Sequence, residues 1–162
     1  MKIAFSTLGC PTWAWEEILA TASDLGFNGI EVRGIEKELY MPKAKPFTGE
    51  NLLNTKKRLV ELNLEIPIFT SACYLFDKEN IESYINEGKE YIDLASKAGV
   101  KYVRVMGDKN PEPGSNIDLD FVHKNLAILG EYAKGKNVYV LIETNGVLSD
   151  SQKMLEMMEN SY

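Results

Sequence analysis

VYVLIETNG, residues 138–146, is the stretch whose reading decides the fold. Val138, Val140 and Ile142 alternate with Tyr139, Leu141 and Glu143, so it reads as a buried parallel strand. It closes on a carboxylate, and Thr144, Asn145 and Gly146 then turn the chain toward a helix. A charge at the carboxyl end of an apolar strand is costly unless it meets a metal, a partner or a substrate. Parallel α/β folds also build their sites at that strand end. Glu143 is therefore the leading functional candidate, with Asn145 beside it as a candidate substrate contact. The plainer alternative is a carboxylate that is solvated or paired with Arg or Lys.

Working upstream, four more strand-then-helix units precede this one. The strands open near Lys2, Gly29, Glu65, Lys101 and Asn137, spaced by 27 and then three times by 36 residues. No sequence repeats at that period, so the regularity is architectural. Strands alternating with helices imply right-handed crossovers and a parallel sheet. The expected strands are residues 2–5, 29–33, 66–71, 101–107 and the stretch above, with Pro67 confined to the start of the third. The helices are expected to bury Ile18, Ala22 and Leu25; Leu52, Leu59 and Leu62; Ile81, Ile85, Gly88, Ile92 and Ala95; Leu119, Val122, Leu126, Leu129 and Ala133; and Met154, Leu155 and Met158. Pro11 and Thr12 are expected to start the first helix, Thr48 to cap the second, and Ser149 with Gln152 to form a capping box for the last.

Several side chains compete for functional roles. In GIEVR, residues 29–33, alternation places Glu31 and Arg33 on one face. Opposite charges on a buried strand are expected to pair with each other or with neighbours, Arg104 of the fourth strand among them. A structural ion network and substrate binding are both open for this group. Trp13 and Trp15 lie in the turn above the first strand, where an indole covers a sugar's apolar face or, more simply, packs the helix start. His123, the only histidine, falls on a helix far from any strand end and reads as a packing or surface residue. Residues 34–47 are too long for a plain connection, which suggests a lid or a mobile loop. Residues 108–116 form a second polar loop rich in Pro and Gly.

The totals narrow the classes. At 162 residues, 44% hydrophobic and 26% charged, the chain reads as one ordinary globular domain spanning residues 1–162. A net charge of −6 repels phosphate backbones, which argues against nucleic acid. No apolar run reaches membrane-spanning length, so no membrane partner is expected. Cys10 and Cys73, without a secretory pattern at the start, suggest free thiols in a reducing, cytoplasmic setting.

KIAFST, the GIEVRG segment after Asp24-Leu25-Gly26-Phe27, KYVRVMG and LIETNG together resemble the sugar phosphate isomerase/epimerase family with the xylose isomerase-like barrel. The resemblance runs the length of the chain, though each motif is short. It implies an incomplete TIM-barrel-like (β/α) fold of about five sequential parallel units, the first five-eighths of a barrel that needs roughly 250 residues. It further implies a divalent metal (Mn, Mg, Co or Zn) held through Glu143, with the other ligands on strands six to eight. Its reaction moves a proton next to the carbonyl of a small sugar or sugar phosphate, with paired carboxylates as acid and base. One carboxylate supplies neither a full metal site nor both faces of the sugar, so weak metal binding and impaired turnover are expected. Trp13, Glu31, Arg33, Arg104 and Asn145 are the candidate substrate contacts. Strands one and five become open edges, which predicts homo-oligomerisation through them. The alternative is a non-catalytic truncated member that self-associates or pairs with a separate carboxyl-terminal half.

Two other folds or families are weaker matches. Endonuclease IV-like enzymes carry a multi-histidine zinc site on a basic groove, unlike this acidic chain with one histidine. An open doubly wound sheet would suit five parallel strands, but Ser6-Thr7-Leu8-Gly9 is a poor imitation of a glycine-rich phosphate loop. Strand order separates the two architectures.

Overall fold

Five short strands alternate with five helices in a computed structural model that describes residues 1–109 and 116–159. They are β1 (Ala4–Ser6), α1 (Trp15–Asp24), β2 (Gly29–Glu31), α2 (Asn51–Glu61), β3 (Ile68–Tyr74), α3 (Ile81–Ala98), β4 (Tyr102–Met106), α4 (Leu119–Ala133), β5 (Tyr139–Glu143) and α5 (Ser151–Glu159). The strands neighbour one another in chain order, β1 with β2, and β3 with β4 and β5. Parallel bridges from Gly29 to Glu65 and from Val32 to Phe69 join the second strand to the third. This sequential order, with a helix between every pair, is that of a partial TIM-barrel fold and excludes the crossed order of a doubly wound sheet. Residues 110–115, the middle of the expected second polar loop, lie outside the described residues.

The chain divides into two compact units. The first comprises Met1–Thr70 and Asp93–Tyr102. Here β1 and β2 run parallel in the register Ala4 to Gly29 and Ser6 to Glu31. Ile30 N–H donates to Glu65 O at 2.9 Å, and Thr70 N–H to Val32 O at 3.0 Å. Ile18, Leu19 and Ala22 of α1 are buried with Ile30, Val32 and Phe69, each large apolar side chain contributing about 1.5–3 kcal/mol. Leu25, expected on that inner stripe, is 69% exposed, because it lies just past the last helical turn as the C-cap of α1. Helix α1 begins at Trp15 rather than at Pro11, with Glu17 reaching back to the Ala14 N–H at 2.8 Å. Thr48 does not cap α2. Its hydroxyl donates to Lys45 O at 3.1 Å, and Glu50 precedes the helix without a side-chain bond. Thr55 is buried on α2 along with Leu59, whereas Leu52 and Leu62 are half-buried.

Residues 34–47 are not a bare loop. They fold into two 3-10 turns, Met41–Lys43 and Lys45–Phe47, that bury Met41, Ala44 and Phe47. Phe47 makes edge contacts with Trp15 and Phe69, ring centroids 5.6 and 5.1 Å apart. The composition looked polar because the apolar residues are too widely spaced to show a period.

The second unit comprises Ser71–Ile92 and Val103–Tyr162. Strand β3 starts two residues later than expected and runs three further, leaving Pro67 just outside it. Val103 and Val105 are fully buried while Tyr102, Arg104 and Met106 of β4 are not, as alternation requires. Ile92 and Leu129 are fully buried on α3 and α4. Gly88 of α3 lets Leu129 approach so closely that an added Cβ would lie 2.7 Å from it. At the last helix, Asp150 rather than Ser149 caps, accepting from Gln152 N–H at 2.9 Å. The buried residue of α5 is Met157, whereas Leu155 and Met158 are 50% and 39% exposed. Strand β5 is not the buried strand expected. Among the described residues it pairs with β4 alone, and Tyr139 and Leu141 on one face are 60% and 40% exposed.

Candidate functional site

Glu143 is the last residue of β5, and its carboxylate meets Arg104 from the middle of β4. Oε2 lies 3.2 Å from Arg104 Nε, with the two side chains 46% and 16% exposed. Alternation makes the meeting possible, since Arg104 leaves β4 on the side opposite Val103 and Val105. Ser71 of β3 fixes the arginine twice. Arg104 Nη1 donates to Ser71 O at 3.0 Å, and Ser71 Oγ donates to Arg104 O at 2.8 Å.

The turn after β5 is anchored by Asp108, from the polar loop that follows β4. Asp108 follows Gly107 at the end of β4 and is only 1% exposed. Its Oδ2 accepts from Val147 N–H at 3.0 Å, and its carbonyl accepts from Asn145 Nδ2, also at 3.0 Å. Asn145 Oδ1 is buried with no hydrogen-bond partner among the described residues. Asp108 carried a usable signal, being an acid just beyond a buried strand, the same logic that picks out Glu143. Its neighbourhood of Pro, Gly and charge obscured it.

In the first unit, Glu31 and Arg33 do not pair with each other. Ser6 Oγ donates to Glu31 Oε1 at 2.9 Å, and Arg33 Nη1 donates to Leu39 O at 3.3 Å. Arg104 belongs to the Glu143 pair in the second unit. Thr7, fully buried, accepts at one hydroxyl from both Arg33 N–H and Gly34 N–H, at 2.8 and 3.0 Å. That bond links the turns following β1 and β2. Trp13 is 40% exposed and its carbonyl accepts from Glu36 N–H at 3.1 Å, whereas Trp15 is 6% exposed. The two indoles therefore divide the alternatives: Trp15 packs the helix start and Trp13 presents a ring to solvent.

His123 is half-buried on α4, lining a groove with Leu126, Val138 and Met158. Cys10 and Cys73 are both free thiols. Burial pushes the Cys73 thiol up to about 12, with the Glu87 carboxylate adding to the shift.

A divalent ion does not fit these residues. Among the described residues, no three His, Cys, Asp or Glu side chains converge as a metal's donor set. The group already facing Glu143 is a cation. Two unit charges 4 Å apart interact by ~4 kcal/mol at an effective dielectric of about 20, and a divalent ion beside Arg104 would meet roughly twice that repulsion before solvent screening.

A parallel βα array in chain order, with a carboxylate at the end of its fifth strand, defines an (β/α)-barrel protein of partial extent. The family model described as xylose isomerase-like TIM barrel matches residues 19–160, and the chain belongs to that family. No curated protein sequence matches it. Among solved structures, the chain is similar to a xylose isomerase-like TIM barrel protein from Mycobacterium smegmatis in complex with magnesium, with 15% identity and a TM-score of 0.74, covering 99% of this chain and 61% of that one. The probable 3-DHS dehydratase AsbF from Bacillus anthracis is similar at 20% identity and a TM-score of 0.78, covering 99% and 59%. An L-ribulose 3-epimerase is similar at 16% identity and a TM-score of 0.74, covering 99% and 57%. These likenesses show the fold, and the chain spans about three-fifths of each of those structures. No helix among the described residues is long and apolar enough to cross a membrane.

Proposed function

We propose that the chain carries the Glu143-bearing part of a sugar or sugar phosphate isomerase/epimerase site. Glu143 takes a proton from the carbon next to a carbonyl and returns it, and the adjacent Arg104 offers positive charge to the oxygen on which charge develops. Asn145, held by Asp108 in the same unit, is the further substrate contact beside them; Glu31, Arg33 and Trp13 are proposed as substrate contacts of the first unit taken by itself. The single observation that carries this reading is the ion pair of Glu143, the last residue of β5, with the half-buried Arg104 of β4. One carboxylate works one face of a sugar. It therefore supports proton exchange or same-face transfer, whereas epimerisation needs a second acid on the opposite face.

The test is solvent deuterium incorporation into a panel of ketoses and aldoses, followed by NMR, with and without manganese. Exchange next to the carbonyl that Glu143→Gln abolishes is the expected result. No exchange with any sugar, or exchange indifferent to Glu143→Gln, defeats the reading.

A second reading, a non-catalytic member that associates with itself or with another polypeptide, is favoured by the edge of β5, which among the described residues pairs with β4 alone. Tyr139 and Leu141 are exposed there, and beside them α4, β5 and Met158 enclose a largely apolar groove of about 470 Å³. A strand edge without Pro or Lys is a template for further pairing. Light scattering that shows a stable monomer at micromolar concentration counts against self-association.

A further inference from the structure

The cation beside Glu143 is built into the chain. Arg104 is 16% exposed, and the neighbouring strand grips it at both ends: Ser71 O takes the guanidinium and Ser71 Oγ takes the Arg104 carbonyl. A guanidinium is always charged at working pH and holds its donors in a fixed plane, so it does not retreat from a metal as a deprotonating or flexible group could. Glu143, by contrast, is half-exposed and ends its strand, and among the described residues no group of three His, Cys, Asp or Glu side chains comes together that could hold an ion.

We propose that Arg104 takes the electrostatic place of a divalent cation at Glu143. The pair excludes metal ions and instead receives an uncharged hydroxyl or carbonyl compound, whose oxygens meet a guanidinium and a carboxylate side by side. The proposal rests on Glu143 being the acid/base group of the site, but its test does not use catalysis.

Manganese(II) is the probe, titrated into the full chain and followed by the electron paramagnetic resonance of the free ion. The wild-type chain is expected to show no saturable site in the micromolar range. Arg104→Met, which keeps the bulk and removes the charge, is expected to raise manganese affinity at least about tenfold, and adding Glu143→Gln to it abolishes the gain. A micromolar site in the wild-type chain that Glu143→Gln removes overturns the proposal. So does an Arg104→Met chain that folds, by circular dichroism, and binds no more manganese than wild type. If Arg104→Met does not fold, Arg104→Lys decides: unchanged binding supports exclusion by charge, and a gain overturns it. Manganese held at Glu143 overturns this proposal and leaves the isomerase reading standing, whereas absent proton exchange defeats that reading, and with it the assigned ligand, without changing the manganese result.

Discussion

The carboxylate of Asp108, at the end of one strand unit, accepts a hydrogen bond at 3.0 Å from the backbone N–H of Val147, in the turn that ends the next. Both residues are buried, at 1% and 3% exposure, so water cannot replace the bond. Asp108→Ala leaves a buried N–H unsatisfied and is expected to cost about 1–3 kcal/mol. Asp108→Asn, which keeps one acceptor oxygen, is expected to cost less. Urea unfolding of the two variants beside wild type checks the order.

Gly107 and Gly88 predict an unequal pair. A Cβ at Gly107 would collide with Leu148 and lie 2.9 Å from Ile142, and Leu148 is 1% exposed. Gly107→Ala is expected to destabilise by about 1–3 kcal/mol through overpacking. Gly88 is mid-helix, where alanine gains about 1 kcal/mol of helix propensity against the clash with Leu129 at 2.7 Å. Gly88→Ala should therefore cost less than Gly107→Ala. Equal losses in thermal melts would show that the turn after β5 yields more easily than the contact implies.

The two thiols are expected to separate by reactivity. Burial raises the Cys10 thiol only from a half-exposed position, but pushes Cys73 up to about 12. A thiol reagent near pH 8 should modify Cys10 in the folded chain and reach Cys73 only on unfolding. Stability from the protonated Cys73 is full below the ordinary thiol value of 9.0 and is lost as pH rises toward the folded value of about 12. Cys73→Ala should flatten that alkaline loss, as read by unfolding across the alkaline range.

Asp118 caps α4, accepting from Phe121 N–H at 3.1 Å and from the Lys78 ammonium. The Lys78 bond, then the Phe121 N–H, holds its carboxyl below the ordinary value of 3.8. A depressed carboxylate stabilises the fold above its unfolded pKa and loses that contribution as pH falls through the folded one. Asp118→Asn keeps a capping oxygen but not the charge. It should lower the melting temperature at neutral pH and narrow the gap to wild type below about pH 4.

Much of the fold was legible because it rests on short-range signals. The stripe of Ile81, Ile85, Gly88, Ile92 and Ala95, of which the last three are buried and the first two half-buried, and the alternation of KYVRVMG follow from the periods of helix and strand. Gly99 and Gly135 end their helices at φ +81° and +75°, values that suit glycine. Errors gathered where tertiary contacts outweigh local pattern. Asp150 displaced Ser149 as a cap, Met157 turned inward in place of its neighbours, and residues 34–47 buried side chains that show no period.

By itself the sequence determined the order and direction of the elements, and it placed Glu143 at the end of β5, because hydrogen bonding along the chain and the side-chain period are local properties. Only the tertiary structure decided whom Glu143 meets. The choice of Arg104 for Glu143, of Ser6 for Glu31 and of Val147 for Asp108 depends on the register between strands far apart in sequence. Shifting that register by one residue turns each side chain to the opposite face, and no single stretch of the chain encodes it.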